Sequence, residues 1–190
     1  VEVIVVDNAS EINDEHLFRE CFPEVVFVRS ERNLGFAGGN NLALPHATGA
    51  FLFFINNDAE LTDGAIRQLL DVFEQYPKAG IVSPLICYMP DGSGGPDTIQ
   101  YAGMTPIHPL TGRNSIVGNK ETDQGQYTEP VITAYAHGAA MMAPRRVIDH
   151  MGPMREDFFL YYEELDWSER IRRAGYEIRV QPLARVYHKE

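Results

Sequence analysis

An α/β fold with a mostly parallel central sheet is predicted by three features of this sequence. Short β-branched or aromatic runs alternate with helical patterns, and polar residues follow the carboxyl ends of the runs. Val3-Ile4-Val5-Val6 is the first run and ends at Asp7-Asn8. The second covers residues 25–28 and ends at Arg29-Ser30, and the third, Phe51-Leu52-Phe53-Phe54-Ile55, ends at Asn56-Asn57-Asp58. Between the last two, residues 36–47 read as a helix whose final turn is broken or kinked by Pro45. Thr62 is the expected N-cap of a further helix, where Ile66, Leu69, Leu70 and Phe73 recur at i, i+3, i+4 and i+7 before Pro77. A strand over residues 80–88 follows. Residues 90–130 are rich in Gly, Pro, Thr, Asp and Asn with little periodicity, so they are functional or ordered in part as short strands. Regular structure resumes over residues 131–142, with a short helix near 145–151. Next come the aromatic cluster Phe158-Phe159-Leu160-Tyr161-Tyr162 and an acidic helix over residues 163–174 with Gly175 at C′. A last strand is expected over residues 177–180.

The 190 residues fit one domain with a real core. With 27 acidic against 16 basic side chains the net charge is −11, which excludes a duplex nucleic-acid binder as a class. A nucleotide ligand stays open, because one bound cation inverts the local field. Cys21 and Cys87 cannot make a disulfide framework and have no neighbour at metal-ligand spacing, which points to a reducing compartment. No apolar run approaches a membrane span and no leader opens the chain. The sequence begins inside a strand-like run and stops just after another, Val186-Tyr187-His188, so both ends read as cut from a longer protein.

Ligands of open parallel α/β sheets sit beyond the carboxyl ends of the strands. Each polar strand end taken singly reads equally well as a solvated turn; their recurrence at one edge favours a site. Gly35-Phe36-Ala37-Gly38-Gly39-Asn40-Asn41 places small residues at a helix start, which suits close packing or an anion, but its spacing is not the dinucleotide fingerprint. Asn56-Asn57-Asp58 with Glu60 supplies one carboxylate and amide oxygens: a weak cation site alone, and enough for a metal shared with a diphosphate. Glu163, Glu164 and Asp166 open the acidic helix. Glu164 and Asp166 lie about 200° apart, so one of them can face a cleft while the other faces elsewhere. A pair with Arg170 is the structural alternative for Asp166, and the helix dipole is the alternative for Glu163 and Glu164. His188 alone reads as surface or satisfied core.

The order of these pieces resembles a family 2 glycosyltransferase. The resemblance rests on Val3-Ile4-Val5-Val6-Asp7-Asn8-Ala9-Ser10, then Arg32-Asn33-Leu34-Gly35-Phe36-Ala37-Gly38-Gly39-Asn40-Asn41, then Phe54-Ile55-Asn56-Asn57-Asp58. Phe158-Phe159-Leu160-Tyr161-Tyr162-Glu163-Glu164-Leu165-Asp166-Trp167 and Val186-Tyr187-His188 extend it over all but about residues 90–130. Within the family the sequence is most similar to the rhamnosyltransferase-like branch that builds bacterial surface polysaccharides. The resemblance implies a GT-A (Rossmann-like) fold, N-terminally truncated, as one domain over residues 1–190. Residues 1–88 would form the nucleotide-binding half and 89–190 the acceptor-binding half.

Residue by residue, the resemblance implies a nucleotide pocket lined by Asp7, Asn8, Asn33, Gly35, Asn40 and Asn57, with Asp7 reading uracil or thymine. Asp58 matches the metal-binding carboxylate and His188 a late histidine that completes the shell of Mn2+ or Mg2+. Glu163-Glu164 matches a Glu-Asp pair whose second acid is the general base, so Glu164 is the expected base, with Glu163 and Asp166 as the other catalytic candidates. The helix N-terminus is expected to favour ionised Glu164. The implied activity is inverting, metal-dependent transfer of a sugar from a UDP- or dTDP-sugar to a glycan or lipid-linked glycan hydroxyl. The implied place is the cytoplasm, peripheral at the inner face of the cell membrane. This sequence departs from the family pattern in three ways: the strand before Val1 is missing, Asn56 stands for the first aspartate of the metal motif, and Glu164 stands for an aspartate. The last two keep a rival open, a non-catalytic sugar-nucleotide or glycan-binding module on the same fold. A nucleotidyltransferase is the second rival.

Overall fold

A computed structural model describes residues 1–189 apart from Asp91 and Ser93. In chain order the elements are β1 (Ile4–Asp7), α1 (Glu15–Cys21), β2 (Val26–Arg29), α2 (Gly35–Ala43), β3 (Phe51–Ile55), β4 (Ala59–Leu61) and α3 (Ala65–Gln75). There follow β5 (Ala79–Tyr88), β6 (Ile99–Tyr101), β7 (Val131–Thr133), β8 (Ala140–Pro144), α4 (Arg145–Met151), α5 (Glu163–Arg173) and β9 (Glu177–His188).

The apolar runs become strands where expected, but the sheet is not mostly parallel. β1 and β2 pair parallel as a separate two-stranded sheet. The larger sheet runs β3-β8-β5-β9-β4, with β6 on β5 and β7 on β9. Within it only β5 and β9 are parallel; the β3–β8, β5–β8, β4–β9, β5–β6 and β7–β9 pairs are antiparallel. The reason lies in the connections: strands such as Ala59–Leu61 pair with a partner far along the chain instead of with the next strand of a βαβ crossover, so nothing local imposes a parallel direction. β5 and β9 are the centre, carrying fully buried Ile81, Val82, Ile86, Ile178, Val180 and Val186.

Several boundaries move for physical reasons. α2 ends at Ala43: Leu44 is still in the right-handed helical region, but Pro45 has no amide hydrogen with which to continue the ladder. Thr62 does not cap α3; the N-cap is Gly64 in the left-handed region, and the Thr62 hydroxyl donates to the Arg185 carbonyl at 3.0 Å. β9 reaches His188 rather than stopping at Val180, since its second half pairs with both β5 and β4. Residues 90–130 are partly strand: β6 forms there, and isolated bridges join Thr98 to Thr122 and Met104 to Ile116.

α5 is held on the sheet by its apolar face. Trp167 packs edge-on against Phe54 with ring centroids 5.7 Å apart and donates to the Gly152 carbonyl at 3.0 Å. The Ser168 hydroxyl accepts from the Ala136 amide at 3.1 Å. These contacts fix the start of α5, where the acidic residues stand. Among the described residues no helix is long and apolar enough to cross a membrane.

Candidate active site

At the end of β1, Asn8 ties the strand to the turn that leads into α2. Its side-chain nitrogen donates to the Gly35 carbonyl at 2.9 Å and to Asn33 Oδ1 at 3.1 Å, and its oxygen accepts from the Leu34 amide at 2.9 Å. Asn33 Oδ1 also accepts from the Gly35 amide at 2.9 Å. α2 approaches closely because its inner face is glycine: a Cβ on Gly39 would lie 3.1 Å from Asn8 Nδ2. Asn40 is spent inside the helix, donating to the Phe36 carbonyl at 2.9 Å. Asp7 pairs with Arg29 at the end of β2 and accepts from the Ser10 amide at 2.8 Å. Burial opposes its ionisation, but the Ser10 and Arg29 interactions outweigh that and hold its carboxyl below the ordinary range.

Gly35 has φ of +72°, and a Cβ there would stand 2.2 Å from the Phe159 carbonyl oxygen. That same oxygen accepts from the Phe36 amide at 3.1 Å. The start of α2 therefore docks the aromatic segment that leads into α5. Tyr161 and Tyr162 both have left-handed φ, 71° and 73°, which is strained for bulky side chains and turns the chain sharply into the helix. Both tyrosines, with Phe159 and Leu160, are exposed.

The three acids at the start of α5 separate in environment. Glu163 is 1% exposed, and its Oε2 has no hydrogen-bond partner among the described residues. Glu164 is half-buried, with its carboxyl pushed up to about 7 by burial and further by Glu163, against a lowering contact with its own backbone N–H. The expected preference for ionised Glu164 is thus reversed, because desolvation outweighs the helix N-terminus. Asp166 takes the structural alternative: its carboxylate binds Arg170 at 2.9 Å, and that guanidinium also donates to the Met151 and Pro153 carbonyls, each at 2.9 Å.

A second cluster forms where β3, β4 and β9 meet. β4 and β9 pair with Ala59 opposite His188, which sets Asp58 beside the imidazole. His188 Nε2 lies 3.3 Å from Asp58 Oδ1 and 3.4 Å from Asn56 Nδ2. Two ligand atoms in adjacent positions around one Mg2+-sized ion stand about 3 Å apart, so the spacing and the mixed oxygen and imidazole donors fit a divalent cation with room for other ligands. Asn57 is exposed in the same turn. The two clusters are bridged: a Cβ on Gly138 would lie 3.2 Å from the Phe36 ring, the next residue's carbonyl accepts from Asn56 N at 3.0 Å, and the His137 and His188 ring centroids are 6.3 Å apart.

Sequence reasoning missed Arg29 as the partner of Asp7, and His137 and Gln100 beside His188. His137 carried a signal, a lone imidazole before a glycine inside an apolar run; Gln100 carried none. The acidic pair Asp97 and Asp123 lies near buried Cys87, with ligand atoms within 4.8 Å of one another. Arg185 pairs with both carboxylates, and Tyr187 donates to Asp97 at 2.7 Å. Two carboxylates thus share one guanidinium, and the cluster fastens residues 97 and 123 to β9.

The model of glycosyl transferase family 2 matches residues 1–152. A low-salt glycan biosynthesis hexosyltransferase of Haloferax volcanii is 27% identical over 198 residues, covering 100% of this chain and 59% of that protein. An N-acetylglucosaminyl-diphospho-decaprenol L-rhamnosyltransferase of Mycobacterium tuberculosis is 24% identical over 205 residues, covering 99% of this chain and 66% of that protein. The chain therefore spans about three-fifths to two-thirds of the length of these relatives. Among solved structures, GalNAc-T7 with UDP, GalNAc and Mn2+ superposes with a TM-score of 0.78 at 18% identity, over 100% of this chain and 38% of that one. A mannosyltransferase of Pyrobaculum calidifontis with GDP-Man and Mn2+ gives 0.64 at 19% identity, over 100% and 47%. The fold is GT-A, and with four-fifths of its length matched, the chain belongs to glycosyl transferase family 2.

Proposed function

We propose that this chain transfers a sugar, with inversion, from a UDP- or dTDP-sugar to a hydroxyl of a glycan or lipid-linked glycan in surface polysaccharide synthesis. The observation that carries the reading is the approach of Asp58 and His188 at the junction of β4 and β9. A divalent cation, Mn2+ or Mg2+, would supply positive charge to the leaving diphosphate there. Asn8, Asn33, Gly35 and Asn40 shape the wall of the nucleotide pocket, chiefly through backbone they hold in place, and Asp7 with Arg29 forms its polar end; Asn57 is free to meet the nucleotide.

Glu164 takes the acceptor hydroxyl proton as the oxygen attacks C1. The C1–O bond to the diphosphate breaks with its electrons on the leaving oxygen. A carboxyl held near 7 suits that role, since its ionised form is populated at neutral pH and is a stronger base than an ordinary glutamate. Glu163, buried with an unsatisfied oxygen, accepts a hydrogen bond from a sugar hydroxyl once substrate is present. Asp166 positions the helix through Arg170. In this reading residues 1–88 bind nucleotide and 89–190 bind acceptor, and the protein works at the cytoplasmic face of the cell membrane. The relatives named for rhamnosyl and hexosyl transfer support the substrate class.

A donor screen tests it: UDP- and dTDP-sugars with free and lipid-linked glycans, with Mn2+ or with EDTA, followed by product analysis. A glycosylated acceptor that requires the ion supports the proposal. Binding without product favours a non-catalytic module, and a new nucleotide sugar favours a nucleotidyltransferase.

A further inference from the structure

Gln100 is the extra residue of a β-bulge. In the β5–β6 ladder Ile86 faces Tyr101 and Cys87 faces Ile99, so one step along β5 is matched by two along β6. The residue left over is Gln100, which is 5% exposed. A regular strand alternates its side chains between faces, and a bulge re-aims the one it inserts. Here the re-aimed side-chain oxygen lies 3.0 Å from Nδ1 of His188. An amide oxygen only accepts, so Nδ1 carries the proton, and the neutral imidazole keeps its lone pair on Nε2. Nε2 is the atom that faces Asp58 and Asn56. Neighbouring contacts hold the bulge still: the Tyr101 hydroxyl donates to the Tyr135 carbonyl at 2.7 Å, and the Arg185 clamp on Asp97 fastens the chain just before β6.

We propose that Gln100 is a positioning residue for the cation, holding His188 in the Nδ1–H tautomer and fixing its ring so that Nε2 and the Asp58 carboxylate are presented together. The inference rests on the reading of Asp58 and His188 as metal ligands. Partners of this kind behind a ligating histidine typically contribute 10–100-fold in metal affinity.

The test is Mn2+ binding, followed by the electron paramagnetic resonance of the free ion, with Mn2+ alone and with UDP, dTDP or GDP in parallel. Gln100→Leu should weaken Mn2+ binding about 10–100-fold, and Gln100→Glu, which keeps an acceptor oxygen at that position, should restore most of it. In a His188→Ala background Gln100→Leu should cost nothing further. Wild-type affinity in Gln100→Leu, or an equal loss in both backgrounds, overturns the proposal. Unchanged affinity in His188→Ala alone removes His188 from the metal shell and this role with it, a result distinct from failure at Gln100. If Gln100→Leu does not fold, the metal-free wild type decides: nitrogen NMR of the neutral His188 ring should show the proton on Nδ1, and a proton on Nε2 overturns the proposal.

Discussion

Nε2 of His188 stands 3.3 Å from Oδ1 of Asp58, although the two residues lie 130 positions apart in the chain. The antiparallel β4–β9 ladder brings them together, and β4 is only three residues long. In the proposed reading, a carboxylate and an imidazole at this separation, with Asn56 alongside, would hold a cation that a bound diphosphate completes. Nucleotide binding should therefore need the ion and should depend on Asp58. Calorimetry with UDP and dTDP, with and without Mn2+, should show cation-dependent binding of the preferred nucleotide in wild type and its loss in Asp58→Ala. Equal affinity with and without the ion in both proteins removes the metal from the mechanism.

The pH dependence follows from the position of Glu164. With its carboxyl near 7 in the free protein, kcat/KM should rise about tenfold per pH unit below about pH 7 and level above it. Stability runs the other way. The folded state holds the Glu164 proton more tightly than the unfolded chain, so the associated stability is present below about pH 4.5 and is lost as pH rises through about 7, on the order of 3 kcal/mol in all. Glu164→Gln, which cannot ionise, should melt higher than wild type at about pH 8 and close to it at about pH 5. Identical melting shifts at both pH values contradict a buried, proton-holding Glu164.

Gly35→Ala should damage the site without touching a reacting group. The new methyl meets the Phe159 carbonyl oxygen, backbone that cannot swing aside, in a left-handed conformation alanine resists. A loss of about 2 kcal/mol or more is expected, with increased protease sensitivity in the Phe159–Tyr162 segment. Wild-type stability and unchanged cleavage would show that α2 does not hold this segment.

Asp166→Asn should act on stability. Its pair with Arg170 is partly exposed, so about 0.5–1 kcal/mol is expected, with transfer lowered only a few-fold through loosening of the Met151–Pro153 turn. Chemical denaturation alongside steady-state kinetics separates the two effects.

The strands at Val3-Ile4-Val5-Val6 and Phe51–Ile55, the helices α4 and α5, and the Asp166–Arg170 pair were all legible in the sequence, because each depends on local periodicity or spacing. Strand direction was not, since pairing between β4 and β9 is set by residues more than a hundred positions apart and leaves no local pattern. The same limit hid Gln100, whose direction comes from a bulge in a three-residue strand within a loop-like region. The environment of Glu164 was misjudged for a related reason: the helix N-terminus is visible in sequence, whereas the burial that outweighs it arises only once the chain is folded.

Transfer with an acid other than Glu164 removed, compared with transfer after Glu164 itself is neutralised, tests the central claim most directly. Turnover and donor affinity should be measured together for wild type, Glu164→Gln and Asp166→Asn, with Mn2+ and the donor found by screening. Glu164→Gln preserves shape and hydrogen bonding but cannot take a proton, so donor affinity should stay near wild type while transfer falls roughly 10²–10⁴-fold. Asp166→Asn should keep most of its turnover. Abolished transfer in Asp166→Asn with transfer retained in Glu164→Gln would contradict the account and move the base two positions along α5.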